Sequence, residues 1–437
     1  MQLKNKYDLI VIGAGIAGIS AAVKAARENI SVLLIENYSF LGGMSSAGMV
    51  SPFMKHSVGN ELLVRGVFED LEEEMRIMNG MIDNGFYGNA FRAAAYRMLK
   101  QAKSDILFDA QLINVKNESN SIKSITVIKD NIIKEFSADI FVDASGDAQL
   151  IYLSGLPFQK GDELTGKLQA MTLFFRISNI NIFQTLEYVK QNKQDFFSWM
   201  DFNFDIEKII SVAGFFSNVK RAHEELRLDE AVHYIFFTTL PESGEASFNT
   251  SNILGLDGST SFELTTAEFI GRKQVNQVYK ILKEEIPGFQ KSILLETATQ
   301  VGVRETRRAI GEYSMTGDDI RKGKKFIDAI ARGCYGIDIH GQKDEEDKME
   351  ELPYGEFYEV PLRSLIVKDV NNILVAGRCI SATREAHGAL RIQPTAAAMG
   401  EACGALASIA IKNKLTIRNV DYKEVQMLVR ENIGNKI

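Results

Sequence analysis

Between Tyr7 and Glu36 the chain reads YDLIVIGAGIAGISAAVKAARENISVLLIE, an apolar strand, a glycine turn, an alanine-rich helix and a second strand closed by an acid. That order leaves few folds open, because a strand–helix–strand crossover with glycines at this spacing begins a parallel sheet that holds a dinucleotide. Gly13 falls where the backbone must turn sharply out of the strand Leu9–Ile12. Gly15 lets the main chain approach a pyrophosphate, and Gly18 lets the helix pack close to the sheet. A helix starting near Gly15 aims its free N–H groups and positive dipole end at phosphate. Glu36, at the end of the second strand, places a carboxylate where ribose hydroxyls can donate to it and where a ribose phosphate is repelled.

A length of 437 residues suits two closely packed domains. Hydrophobic residues make up 45% and charged residues 24%, an ordinary globular balance, and no apolar run reads as long enough to cross a bilayer. The opening MQLKNKYDLIVIGAG enters the first strand without a cleavable leader, so a cytoplasmic protein with no membrane partner is expected. Cys334, Cys379 and Cys403 form no CxxC pair and no metal or iron–sulfur spacing. A disulfide framework, a dithiol centre and a metal site are therefore disfavoured. The net charge of −7 argues against nucleic acid, which needs a concentrated cationic face.

Further along, helical spacing predicts helices over Asn60–Met78 and Asn89–Lys103, the second capped by Asn89. Short strands are expected at Ile106–Phe108, Leu112–Val115, Ser124–Lys129 and Ile132–Phe136, the last two joined as a hairpin at Asp130–Asn131. The apolar run Asp139–Ala144 reads as a buried strand ending in the turn Ser145-Gly146-Asp147. From about Gly155 the pattern changes to longer mixed elements. These include strands at Met171–Ile177 and Ala231–Thr239 and a helix over Thr266–Glu285, introduced by a possible capping box, Thr265-Thr266-Ala267-Glu268. Asp344–Glu351 (DEEDKMEE) reads as a solvated loop. Near Val360 the strand–glycine–helix pattern returns, with Asn372–Gly377 and a helix from about Pro394 to Ile411. The expected architecture is α/β, with a discontinuous Rossmann-like nucleotide domain (1–154 and 359–437) and an inserted mixed α/β substrate domain (155–358).

A second glycine pair, Gly42-Gly43, follows Glu36 and leads into Met44, Ser45, Ser46, Ala47 and Gly48, small residues that leave room for something flat and large. A nicotinamide dehydrogenase has no need of that pair. A flavoprotein must seat pyrophosphate, ribityl chain and a three-ring isoalloxazine against the main chain, so FAD is favoured over NAD.

At this point the sequence resembles the FAD-dependent oxidoreductase family that is distantly related to the fumarate reductase and succinate dehydrogenase flavoproteins. The resemblance spans nearly the whole chain. It rests on GAGIAG with Glu36, on LGGMSSAG, VDASGDAQL, VGVRETRRAIGEY and ARGCYGIDIHG, and most specifically on VPLRSLI followed by NNILVAGRCISATREAHGALRIQPTAAAMGEACG. It implies that Glu36 binds adenosine ribose and that Gly42 and Gly43 line the pyrophosphate and ribityl region. It also implies that Gly377 and Arg378 approach the same linker from the other side, and that the helix after Pro394 points at the pyrimidine edge of the flavin. Proline suits a first helical turn, and a positive dipole end there stabilises a reduced flavin. Ser45, Asp143, Gly146 and Thr395 stand in the same motifs and complete the expected cofactor-binding set.

A hydride-transfer site often needs a proton donor or acceptor near neutral pKa, and the chain holds only five histidines. His387 lies in the flavin-side motif. His340 ends Asp338-Ile339-His340-Gly341, where Asp338 alternates onto the same strand face and can orient the ring. Either can serve as general base or as a structural histidine, while His56, His223 and His233 are assigned to structure. Arg304, in VGVRETRRAIGEY, is the preferred group for holding an anion, against pairing with Glu305, Glu312 or Glu385. Arg307, Arg308 and Arg363 are weaker choices, Arg384 and Arg391 bracket His387, and Cys379 reads as a small buried filler.

No second GxGxxG unit appears after residue 150, so a dedicated nicotinamide domain is not expected. Electrons then pass through the substrate itself, through oxygen or a quinone, through a transient nicotinamide, or through a partner redox protein. The expected reaction is hydride transfer between FAD and a small polar organic substrate, with His340 or His387 moving the proton and Arg304 holding an anionic or hydroxylated group. A flavin monooxygenase and a non-enzymatic flavin-binding redox sensor stay open as alternatives.

Overall fold

Lys6–Ile12 forms the opening strand of a computed structural model that describes residues 3–434 apart from 241–243, 343, 344 and 346. Leu9 and Val11 point into one layer of core and Ile10 and Ile12 into another, the two-residue alternation of a strand covered on both faces. The helix Ile16–Arg27 returns the chain, and Val32–Ile35 then pairs in parallel with the first strand, Leu9 opposite Val32 and Ile12 opposite Ile35. Asp105–Leu107 adds a further parallel strand on the outside.

The centre of the seven-stranded sheet is Ile132–Asp143, a single strand where two were expected. The junction stays extended because Ser137 remains in register with Lys6 and donates its N–H to the Asn5 carbonyl at 3.0 Å. Its first half pairs antiparallel with Ser121–Lys129 through the expected turn at Asp130 and Asn131, both at positive φ. Phe141–Asp143 pairs in parallel with Ile373–Val375, so the distant end of the chain enters the same sheet.

The long helix Gln393–Asn413 locks this arrangement against the first helix. A Cβ on Gly400 would lie 2.0 Å from the Ala17 carbonyl oxygen, and one on Gly404 would lie 2.5 Å from that of Ala21. Only glycine permits so close an approach of two backbones. Around the crossing, Met399 and Leu406 are fully buried, each contributing about 1.5–3 kcal/mol. This helix corrects one expectation, since its mean hydropathy of 1.2 over an 18-residue window makes it long and apolar enough to cross a membrane. Of that window 94% is buried inside the fold, which is how a largely apolar helix is accommodated in a core.

Other boundaries also moved. The helix expected over Asn60–Met78 begins only at Val67. Before it, Ser57–Val58 and Glu61–Leu62 form a small hairpin around Gly59, and Gly66 sits at φ 61°. The helix Gly88–Ala102 agrees closely with the reading, but Tyr87 precedes it without a side-chain cap, and the Asn89 amide oxygen accepts from Ala90 instead. The helix Ser261–Glu285 starts before Thr266. Thr260 is its cap, while Thr265 and Thr266 are interior, with hydroxyls donated to the carbonyls of Ser261 and Phe262.

The inserted unit is a five-stranded antiparallel sheet in the order Ser211–Gly214, Ile235–Leu240, Glu245–Phe248, Phe175–Ser178, Ile293–Thr297. With the helix Ser261–Glu285 it encloses a core that includes Phe175, Phe237, Phe248 and Phe289. The strand expected at Met171–Ile177 is reduced to Phe175–Ser178, with Met171 and Thr172 held by single bridges to Ile253 and Gly302. The strand expected at Ala231–Thr239 spans Ile235–Leu240. Met315, Ile330, Ile337, Ile339 and Tyr358 lie between 155 and 358, yet they pack in the core that holds Ala17 and Leu406.

The acidic run is not a free loop. Lys348–Glu350 pairs with Ile337–Ile339, Glu345 is bonded to Arg384, and Glu350 to Arg321. Asp344 and Glu346 lie outside the described residues. The result is an α/β protein with a Rossmann-like sheet and an inserted mixed unit.

Candidate active site

The three glycines of the opening turn differ in what surrounds them. A Cβ on Gly13 (φ +94°) would sit 2.6 Å from the Ala144 carbonyl oxygen, and one on Gly18 would sit 1.8 Å from that of Gly13. Both are required by packing. A Cβ on Gly15 would meet nothing within 4 Å, so this backbone alone faces open space. Gly42 runs alongside, donating its N–H to the Ala14 carbonyl at 2.8 Å, and a Cβ on Gly43 would lie 3.1 Å from the Gly15 Cα.

Two helix starts meet here. Neither Ile16–Arg27 nor Gln393–Asn413 has a side-chain cap or an acid in its first turn, and Pro394 occupies the first turn of the second. Gly377 (φ +78°) lies between them, where a Cβ would stand 3.0 Å from the Ala17 Cβ and 3.9 Å from that of Ala396. Two positive helix ends converging on open backbone form a donor set suited to a pyrophosphate. Glu36, 7% exposed, accepts the N–H of Ala14 at 2.6 Å and that of Tyr38 at 2.9 Å. Burial raises its carboxyl above the usual range despite these bonds.

Several side chains expected at the cofactor are bonded within the protein. Arg378 spends every nitrogen on protein: Nε on the Gly146 carbonyl at 2.7 Å, Nη2 on Asp147 at 2.7 Å, and Nη1 on the Val303 carbonyl. Gly146 sits at φ +80°, a backbone conformation that favours glycine, and packs against the Arg378 guanidinium. Asp143 is fully buried and accepts the N–H and hydroxyl of Ser145 and the N–H of Ile151, which shapes the turn instead of offering a free carboxylate. Ser45 donates to Gln393 at 2.6 Å, and Gln393 donates to the Val50 carbonyl at 2.7 Å, tying the small-residue loop to the helix start. Thr395 is fully buried in that first turn. Cys379 is fully buried with its thiol pKa pushed up, in keeping with a filler.

His340 and Arg304 come together in a small polar pocket with Tyr234, Asn249, Ser251 and Asp347. His340 follows the strand Ile337–Ile339, and its Nε2 lies 3.4 Å from Asp338 Oδ1. Asp338 Oδ2 accepts the Tyr335 hydroxyl at 2.9 Å and Arg391 at 3.0 Å. Burial first, then the charges of Arg304 and Arg391, outweigh Asp338 and pull the His340 pKa down to about 3, so the ring is neutral. For Asp338, burial opposes ionisation, but the facing His340 and the two arginines overcome it and keep its pKa low. With His340 neutral, the arginines carry that effect.

Arg304 donates Nη1 to the Ala170 carbonyl at 2.7 Å. None of the carboxylates named as structural partners reaches it. Glu305 bonds Arg308 and Arg384, Glu312 bonds Arg418, and Glu385 bonds Arg321 and Lys348. Burial and then Arg391 lower its pKa to about 10, which leaves it protonated at neutral pH.

His387 does not join this pocket. It is fully buried, its Nε2 bonded to the Arg378 carbonyl at 2.8 Å and its Nδ1 without a partner among the described residues. The ring holds the loop that Arg378 fastens. His233, expected to be structural, lines the pocket beside Tyr234. His56 and His223 make local contacts with Glu72 and the Asp229 carbonyl, as expected of structural residues. Arg307 lies over the Tyr152 ring, Arg308 is fully buried, and Arg363 pairs with Asp328. Tyr335, Asp347 and the run Asn249–Asn252 were missed. Tyr335 stands in ARGCYGIDIHG three residues before Asp338, Asp347 was folded into the solvated acidic run, and the polar NTSN sequence after a strand was a signal left unread.

Fold and site together define a dinucleotide-binding α/β protein with a polar pocket lined by His340 and Arg304. The chain belongs to the FAD dependent oxidoreductase family, whose model matches residues 8–429, and FAD is that family's cofactor. Among curated proteins it is similar to Protein FixC of Salmonella typhi, 29% identical over 153 residues. That match covers 32% of this chain and about a third of the relative's length, 34%. Among solved structures it is similar to a geranylgeranyl bacteriochlorophyll reductase-like protein from Thermoplasma acidophilum (14% identity, TM-score 0.49, 98% of this chain and 83% of that one). It is also similar to L-proline dehydrogenase from P. horikoshii (13% identity, TM-score 0.44, 97% and 98%).

Proposed function

We propose that this protein transfers a hydride between FAD and a small polar organic molecule, which binds in the pocket of His340 and Arg304. The observation that carries the reading is that these two side chains share one pocket, one a neutral imidazole and the other a cation with no carboxylate partner among the described residues. FAD, when bound, accepts or donates the hydride. The open backbone at Gly15, with Gly13, Gly18, Gly42, Gly43 and the helix start at Pro394, would hold its pyrophosphate, and Glu36 its ribose. Ser45, Asp143, Gly146, Gly377, Arg378 and Thr395 would position those groups. Nucleotide binding is then the work of residues 1–154 and 359–437, and the insertion 155–358 supplies most of the pocket.

Neutral and hard to protonate, His340 can bond a substrate hydroxyl or amine through its ring nitrogen, and Asp338, held by Tyr335 and Arg391, fixes its ring. Arg304 would hold an anionic or hydroxylated substituent so that the reacting carbon is oriented. The test is anaerobic bleaching of the flavin by a panel of hydroxy acids, sugars and amines. A substrate that bleaches the parent should fail with His340→Ala and bind weakly to Arg304→Gln. Parent-rate bleaching in both variants would remove the pocket from the reaction.

A further inference from the structure

The longest helix of the inserted unit, Ser261–Glu285, buries Ala267, Val275, Val278 and Leu282 in the core it shares with the five-stranded sheet. On its opposite side stand Phe262, 83% exposed, and Phe269, 76% exposed. At about 3.6 residues per turn, these two rings share one stripe with Lys273 and Lys280, which are exposed as well. Glu263 and Glu268 are engaged within the chain, accepting the N–H of Asp257 at 2.6 Å and that of Val301 at 2.7 Å. The stripe therefore presents two exposed rings in its first half and two ammonium groups in its second. The acids beside those ammonium groups, Asp229 and Glu284, stand 3.8 and 3.9 Å away, at the limit of an ion pair.

The order of the stripe selects what covers it. Phe262 and Phe269 precede Gly271 by nine and two positions, and Lys280 and Lys273 follow it by the same nine and two. A second copy of the helix, laid antiparallel about the level of Gly271, sets Phe262 against the partner's Lys280 and Phe269 against the partner's Lys273. The two-fold axis repeats both contacts. An ammonium group over an aromatic face is attracted to it, and each ring loses water as it is covered. Thr265 and Thr266 meet the partner's Gln277 and the partner's Asn276, pairs that can exchange hydrogen bonds. No like charges face each other along the stripe, whereas a parallel arrangement would set lysine against lysine.

We propose that this protein is a two-fold dimer in which Ser261–Glu285 packs antiparallel on the same helix of a second copy, centred at the level of Gly271. The FAD holoenzyme at micromolar concentration should sediment with twice the mass of one chain. Phe269→Lys sets a new ammonium against the partner's Lys273 at both ends of the contact, and should weaken the dimer at least about tenfold. Adding Lys273→Glu to that variant replaces the repulsion by an ion pair and should restore the dimer. The register is read with Phe262→Cys/Lys280→Cys. Within one chain those positions are ~27 Å apart along the helix, too far for a disulfide, whereas across the two-fold axis they meet. Diamide should therefore yield a covalent dimer on a non-reducing gel, and the native cysteines Cys334, Cys379 and Cys403, all buried, add no background. A monomeric parent, a dimer that Phe269→Lys leaves intact or Lys273→Glu does not restore, or a cysteine pair that stays uncrosslinked overturns the proposal.

Discussion

Replacing Gly15 by alanine separates folding from cofactor binding in a way that the neighbouring glycine does not. Gly15 has φ −69° and ψ 177°, a conformation any residue adopts, and its added Cβ meets no protein atom within 4 Å. The apoprotein should therefore fold normally and gain about 0.4–1 kcal/mol from a stiffer unfolded chain. The methyl would occupy the space that a pyrophosphate needs to reach the backbone N–H groups. Each such charge-assisted bond is worth about 1.5–3 kcal/mol, so FAD affinity should fall by about a hundredfold. Gly18→Ala is the contrast. Its Cβ would stand 1.8 Å from the Gly13 carbonyl oxygen, a clash that only backbone movement relieves, and the apoprotein should lose about 1–3 kcal/mol or more. Urea unfolding of the two apoproteins and FAD titration followed by flavin fluorescence give both numbers. A Gly15→Ala protein that binds FAD with parental affinity would refute the assignment of that open backbone to phosphate.

Gly400→Val should prevent stable folding, because a Cβ 2.0 Å from the Ala17 carbonyl forces the two central helices apart, and a soluble variant with parental melting would contradict the packing. Arg378→Lys should cost about 1–3 kcal/mol in urea unfolding, since one ammonium cannot span Gly146, Asp147 and Val303 together. His340→Asn should flatten the acid limb of stability. A ring whose pKa falls from 6.5 unfolded to about 3 folded resists protonation, so its contribution is complete above pH 6.5 and is lost as the pH falls toward 3. The difference is on the order of a few kcal/mol, and superimposable parent and variant curves would mean that His340 is not buried as described.

The nucleotide half of the fold was legible because backbone geometry dictates its residues. Gly13 and Gly18 are glycine for steric reasons that operate within a few residues, and the strand–helix–strand period is local. The helix after Pro394 was equally plain, but its largely apolar surface, which by length and composition suits a membrane, is explained by Ala17 and Ala21 lying against Gly400 and Gly404. The pocket was half legible. His340 and Arg304 were singled out by type and motif, whereas His387 shows the same chemistry in sequence and differs only in being enclosed. Arg378 and Asp143 were expected to bind the cofactor from the family motifs in which they stand. Their partners, Val303 and Ile151 among them, lie on other elements, and no local pattern reveals that they are already satisfied. Asp347 was hidden inside an acidic run whose strand pairing comes from Ile337–Ile339.

The central claim is that both ends of the chain hold one FAD through two uncapped helix starts. Amide hydrogen exchange on the apoprotein with and without saturating FAD tests it directly. The account expects slower exchange at residues 13–18 and, at the same FAD concentration, at residues 395–397. Protection at only one of these segments, or at neither, would contradict it.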